Sequence, residues 1–216
     1  MNTTVLTDQS RRNFLKKSSF AAAGTLSLIS IPLMGASCTP IQDGLNIVGP
    51  KSGYAPQVGT LVSMMNWMRN VVEGQVRGLE QEQLDFLIDD KANSIGAMLM
   101  HLAATERFYQ IHTLEGKNWG NWSREDSKRW STASGLGDQA RKKIKGNDLT
   151  YYLDTLNEVR SHTLKELGNR DDEWLLKADN NWAWGPTNAY CKWFHVVEHE
   201  SNHNGQIKFI KARLPS

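Results

Sequence analysis

Apolar positions step by threes and fours in four separate stretches of the chain, and nowhere do they alternate with a period of two for long enough to propose a sheet. From Leu61, the residues Met65, Met68, Val72, Val76 and Leu79 continue one apolar face through about five helical turns. Asn93 and Ser94 offer an N-cap to a second helix, Ile95 to about Glu115, which Gly116 stops. A third helix begins at Asn147-Asp148, carries Leu149, Tyr152, Leu153, Leu156, Val159 and Leu167, and ends at Gly168. The last starts after Gly185-Pro186-Thr187 and runs to about Leu214. Four amphipathic helices of this length can close one core, so the pattern predicts an all-α chain folded as a four-helix bundle. Two connections are long: Lys117 to Gly146, between the second and third helices, and Asn169 to Gly185, between the third and fourth. The latter contains Trp174, Trp182 and Trp184, and long ordered loops over a bundle end tend to be functional, with room for short helices within them.

Ahead of the first helix the pattern changes. Arg11 and Arg12 precede Phe14 and Leu15, and Ser18 to Met34 follow as an uncharged run of apolar and small residues. This resembles a twin-arginine signal peptide, so residues 1–37 are expected to be removed and the protein exported to the periplasm or cell envelope. Gly35-Ala36-Ser37-Cys38 resembles a lipoprotein cleavage box, with Gly35 in place of the usual leucine, which makes Cys38 the candidate for lipidation. Residues 38–57, rich in Pro and Gly, read as a flexible stalk, and 58–216 as the folded domain.

Composition narrows the function classes. Lys+Arg number 25 and Asp+Glu 23, for a net charge of +2. Arg11, Arg12, Lys16 and Lys17 all lie in the leader against Asp8 alone, so the remainder is slightly acidic and a basic nucleic-acid binder is excluded. With 39% apolar and 22% charged residues, the body offers no second apolar run long enough to span a bilayer. Membrane contact is therefore expected only through a lipid anchor, and the partner is expected to be a small molecule; a homodimer stays open. The two cysteines, Cys38 and Cys191, cannot build a disulfide framework.

Three of the six histidines, His195, His199 and His203, stand four residues apart in the last helix. Each step of four turns the helix by about 40° beyond a full turn, so the three form one stripe, in the sector that also holds Val196, Ile207 and Ile210. An inward imidazole without a partner costs free energy. Either adjacent pair, about 6 Å apart along the axis, can converge on one ion, whereas His195 and His203, about 12 Å apart, cannot. A third ligand must come from another helix. His101 qualifies, because its face carries Met98, Thr105 and Phe108. His112 lies about 16 Å further along and belongs to another layer, and His112 and His162 read as packing or surface residues. The same stretch satisfies H-E-x-x-H (His199, Glu200, His203) and H-x-x-E-H (His195, Glu198, His199), which makes a zinc peptidase formally available with Glu200 or Glu198 as base. Its context opposes it, since Gln206 stands where the longer peptidase motif needs Gly. Cys191, one turn before His195, is a further candidate as thiolate or fourth ligand, with small packing residue as its plainer role.

The segment Ser94-Ile95-Gly96-Ala97-Met98-Leu99-Met100-His101-Leu102-Ala103-Ala104-Thr105-Glu106-Arg107-Phe108-Tyr109, paired with His195-Val196-Val197-Glu198-His199-Glu200-Ser201-Asn202-His203-Asn204-Gly205-Gln206-Ile207, resembles the DinB-like (YfiT-like) superfamily. The resemblance spans essentially Val58 to Leu214. It implies an up-and-down four-helix bundle with a divalent metal (zinc, nickel or iron) held by His101, His199 and His203. His195 then becomes a supporting residue or proton carrier. The resemblance also implies a metal-dependent hydrolase or a thiol transferase acting on a small substrate, with a non-catalytic metal-binding or envelope stress protein as the alternative. Three neutral ligands would leave the ion its charge, so that a thiol or water beside it is acidified.

Overall fold

The computed structural model describes residues 43–118 and 120–215. The expected signal peptide and Cys38 lie outside them. In chain order the elements are α1 (Pro56–Val76), α2 (Gln81–Asp85), α3 (Ile95–Tyr109) continued by a π turn (Gln110–Leu114), α4 (Arg124–Gly135), α5 (Gly137–Lys143), α6 (Leu149–Leu167), α7 (Asp172–Leu176), β1 (Ala178–Asp179), β2 (Thr187–Asn188) and α8 (Ala189–Lys211). The chain is all-α, as the periodicity predicts; the one exception among the described residues is the two-residue antiparallel pair β1–β2. No helix among the described residues is long and apolar enough to cross a membrane.

Local chemistry sets the helix ends. The side chains of Ser94, Asp148 and Asn188 accept from the backbone amides of Ala97, Tyr151 and Cys191, which caps α3, α6 and α8. Pro56 opens α1, and the next two amides, of Gln57 and Val58, donate to Asp172 Oδ1 at 2.9 and 3.2 Å. The start of the second long connection is thereby tied to the start of the first long helix.

The long connections take a more definite form, and the stalk needs correction. The stretch Lys117 to Gly146 is no loop: it contains α4 and α5, which evade a search for apolar stripes because Trp130, Ala133 and Ala140 are their only buried apolar residues. Asn169 to Gly185 likewise holds α7 and β1. The described part of the expected stalk is fixed against the folded domain: Gly49 N donates to Ser63 Oγ at 3.1 Å, and Tyr54 and Ala55 pack on the core. A Cβ on Gly59 would stand 2.5 Å from Lys51 N, so only glycine lets the segment lie this close to α1.

The four long helices enclose the core, α1 packing on α8, α8 on α3, α3 on α6 and α6 on α1. The core has two parts. One is built around Val72, Ile95, Leu99, Tyr152, Leu156 and Ile207, and the other around Leu61, Met65, Leu167, Trp193 and Val196, with Tyr109 and Trp182. Between them lie four buried charges, one from each long helix: Arg69 (α1), Glu106 (α3), Arg160 (α6) and Glu200 (α8). Arg69 donates to Glu200 Oε1 (2.6 and 2.9 Å), Glu106 Oε2 (2.8 Å) and the carbonyl of Leu156 (3.1 Å). Arg160 donates to Glu106 Oε1 (2.8 Å), Glu200 Oε1 (2.9 Å) and the carbonyl of Met65 (2.9 Å). Two guanidiniums and two carboxylates cancel, and charge-assisted bonds to all four helices offset the cost of dehydrating them. Burial works against ionised Glu106, but the charges of Arg160 and Arg69 outweigh it and hold the carboxyl below its ordinary range.

Candidate metal centre

His101 lies midway along α3, and His199 and His203 on the facing side of α8. The structure brings these three rings together: one nitrogen from each lies within 4.8 Å of the others. His101 Nε2 and His199 Nε2 are 2.8 Å apart, and ring centroids are separated by 4.6 to 4.9 Å around the triad. His203 is buried, while His101 and His199 keep partial access to solvent.

Two of the three outer nitrogens have hydrogen-bond partners. His101 Nδ1 lies 2.9 Å from the carbonyl of Ala133, near the end of α4. A carbonyl can only accept, so this nitrogen carries the proton and Nε2 presents its lone pair toward the other rings. His203 Nδ1 donates in the same way to Gln206 Oε1 at 3.0 Å, an orientation of the amide supported by Gln206 Nε2 donating to Asn202 Oδ1 at 3.4 Å. The turn that delivers Ala133 is itself constrained, for Leu136 adopts φ 49° and ψ −150°, a region side-chain-bearing residues avoid.

The electrostatics agree with a neutral donor set. Burial, reinforced by His203, His101 and His195, lowers His199 to about 3. Burial and His101 lower His203 to about 4. Burial also lowers His101, against the pull of the Ala133 carbonyl. Three uncharged imidazoles, two of them held by hydrogen bonds at their outer nitrogens, fit a divalent cation that accepts nitrogen ligands; His101 Nε2 and His199 Nε2 at 2.8 Å need a proton or a cation between them.

His195 sits one turn before His199, its ring 5.6 Å away, and its Nδ1 is 3.0 Å from Glu198 Oε2. Trp184 (5.3 Å) and Tyr109 (5.9 Å) flank it, edge to face. Burial first, then Cys191 and Glu198, push the Tyr109 hydroxyl up in pKa. His195 is thus outside the triad and borders it. Cys191 is exposed and does not belong to the cluster. His112 packs within 4.3 Å of Phe108 with Nδ1 against the carbonyl of Lys117, and His162 is exposed.

Glu200 corrects the peptidase alternative. The H-E-x-x-H pattern places a glutamate beside two histidines, but here that carboxylate turns into the core and bonds Arg69 and Arg160. It is a structural anion, and no base remains in that position. Its partners Arg69, Glu106 and Arg160 were not singled out by the sequence reading, although each is a charge at helical spacing on an apolar face: Arg69 four residues after Met65, Glu106 four after Leu102, Arg160 four after Leu156. Charges of both signs on buried stripes were the available signal.

The family model for mycothiol-S-transferases matches residues 60–215. No curated protein matches the chain. The match covers most of the chain and all three histidines, so the chain belongs to the mycothiol-S-transferase family, a DinB-like, YfiT-type family.

Proposed function

We propose that this member of the family is a thiol S-transferase that works with a divalent metal at His101, His199 and His203 and joins a small thiol to a small electrophile. The observation that carries the reading is the set of three neutral imidazole nitrogens within 4.8 Å, partly open to solvent, in a chain of this family. A divalent cation held by uncharged ligands keeps its full charge and lowers the pKa of a thiol beside it. The protein's own residues do the rest. The Ala133 carbonyl and Gln206 orient His101 and His203. His195, whose Nδ1 lies 3.0 Å from Glu198 Oε2, stands beside the triad and would take the thiol proton. Trp184 and Tyr109 wall that side of the site. In the transfer the S–C bond forms as the bond from carbon to its leaving group breaks; the electron pair departs with that group, and the thiol proton passes through His195 to solvent.

The test is metal-loaded protein with a low-molecular-weight thiol, mycothiol and cysteine in turn, and an alkyl or aryl halide. Thioether formation followed by mass spectrometry should exceed the uncatalysed rate and be lost in His203→Ala. Background rates with every thiol would leave the non-catalytic metal-binding protein as the better reading.

Location belongs to the same proposal. Arg11-Arg12 and the apolar run that follows support export, with Cys38 as the anchor point. Intact mass of the protein from native cells is expected to show loss of residues 1–37; a chain still beginning at Met1 would refute export.

A further inference from the structure

Beside the triad, on the side away from His195, α3 and α8 border an open cavity of about 510 Å3 together with the segment joining α2 to α3. Its walls are apolar, formed by Ile88, Met98, Phe209 and Ile210. Asn202 and Gln206 line it as well, and Gln206 is the residue whose Oε1 receives His203 Nδ1 at 3.0 Å. The cavity therefore shares a wall with the candidate metal centre. It also has fixed walls. Asn93 accepts from Gly137 N at 3.0 Å, Asp89 Oδ1 accepts from the amides of Lys91 and Ala92 at 2.8 and 2.7 Å, and Arg141 donates to the Lys91 carbonyl at 2.8 Å.

We propose that this cavity binds the second substrate of the transfer, an electrophile with an alkyl or aryl body and an anionic end. The inference rests on the thiol-transferase reading and deepens it. A two-substrate reaction at one centre needs two approaches. The aromatic approach at His195, with its proton-accepting nitrogen, suits the thiol; the apolar approach at Gln206 suits a body that gains by leaving water. The volume lies within the range of small-ligand pockets and is too small for a peptide helix. Lys91, exposed at the rim, is the one charged residue among those lining the cavity, so charge complementarity selects an anion there. The amides of Asn202 and Gln206, on the wall toward His203, would hold the reacting end near the triad.

Gly205 supplies the probe of the idea. It lines the cavity, and a Cβ on it meets no atom within 4 Å, so a side chain can begin there without displacing protein, and a leucine would take up part of the cavity. Leucine is also the better helix former, which protects the fold. Calorimetric titration of metal-loaded protein with octanoate and with octanol, which has no carboxylate to reach an ion, should show binding of both. Gly205→Leu should weaken both by about tenfold or more, equivalent to about 1.4 kcal/mol, with metal content unchanged. Lys91→Ala should weaken octanoate and leave octanol as it was. Failure of the native protein to bind either probe, or equal binding by Gly205→Leu, overturns the proposal; a Lys91→Ala protein that treats octanoate normally overturns its anionic end. If both probes bind as expected but no thiol is ever consumed, the transferase reading fails and the binding site remains.

Discussion

Arg69 and Glu200 meet across the centre of the molecule, Nη2 2.6 Å and Nε 2.9 Å from the same carboxylate oxygen, although 131 positions separate them in the chain. The contact joins the first long helix to the last, one residue from His199. It fixes the rotation of α8 about its axis: with Glu200 directed into the core, His199 and His203 fall on the side that faces His101. Breaking the contact by Arg69→Met should leave Glu200 with Arg160 as its one remaining cation, and destabilise the protein by about 3–5 kcal/mol. Urea denaturation measures it. A loss under about 1 kcal/mol, the scale of a surface pair, would mean that the quartet does not hold the helices together.

The triad itself predicts a graded response. His101→Ala, His199→Ala and His203→Ala should each remove most of the bound divalent metal, because each deletes one of three protein ligands. His195→Ala should retain it, since that ring stands 5.6 Å from His199 and outside the cluster. Elemental analysis after dialysis decides the matter, and loss of metal in His195→Ala with retention in His203→Ala would place the centre one helical turn nearer the N-terminus of α8.

These positions show what could be read in advance. The four long helices were legible because each carries an apolar stripe closed by a cap such as Asp148 or a stop such as Gly116, which adopts φ 67°. The spacing of His199 and His203 was legible for the same geometric reason. It was the resemblance to a family that selected them over His195 and His199, since a helix wheel treats the two pairs alike. Ala133 was beyond reach: its role rests on a backbone carbonyl, and its helix α4 buries too few apolar residues to announce itself. Gln206 looked like an interruption of a peptidase motif, and only the packed structure shows it holding His203.

The lowered pKa values of the histidines carry a signed pH dependence. In the unfolded chain a histidine titrates near 6.5, whereas in the folded, metal-free protein His199 is lowered to about 3 and His203 to about 4. Between these limits the unfolded state binds more protons, so the stability present above about pH 6.5 is lost progressively as pH falls through the folded values. Carboxylates are not titrating appreciably between pH 7.5 and 5. The urea midpoint of the metal-free protein should therefore drop across that interval, and the drop should shrink in His199→Gln/His203→Gln. A midpoint that is flat between pH 7.5 and 5 would contradict the burial of neutral rings.

Cys191 separates two chemistries at this site. A cysteine one turn before His195 could act as nucleophile, with the transferred group passing through a bond to its sulfur, or could complete a metal shell. The geometry argues against both. Its thiol is exposed, two helical turns from His199, and the cluster that could hold an ion is made of three imidazoles alone. What Cys191 does contribute is backbone: its amide donates to Asn188 Oδ1 at 2.9 Å and so belongs to the cap that starts α8. Serine keeps that amide. Cys191→Ser should accordingly leave metal content, thioether formation and thermal stability all within error of the native protein. A protein that kept its metal but lost turnover would instead assign the sulfur a covalent role and turn the direct transfer into two successive displacements. Loss of the metal together with turnover would show that the shell includes a thiolate, which would quench the charge on which activation of an external thiol depends.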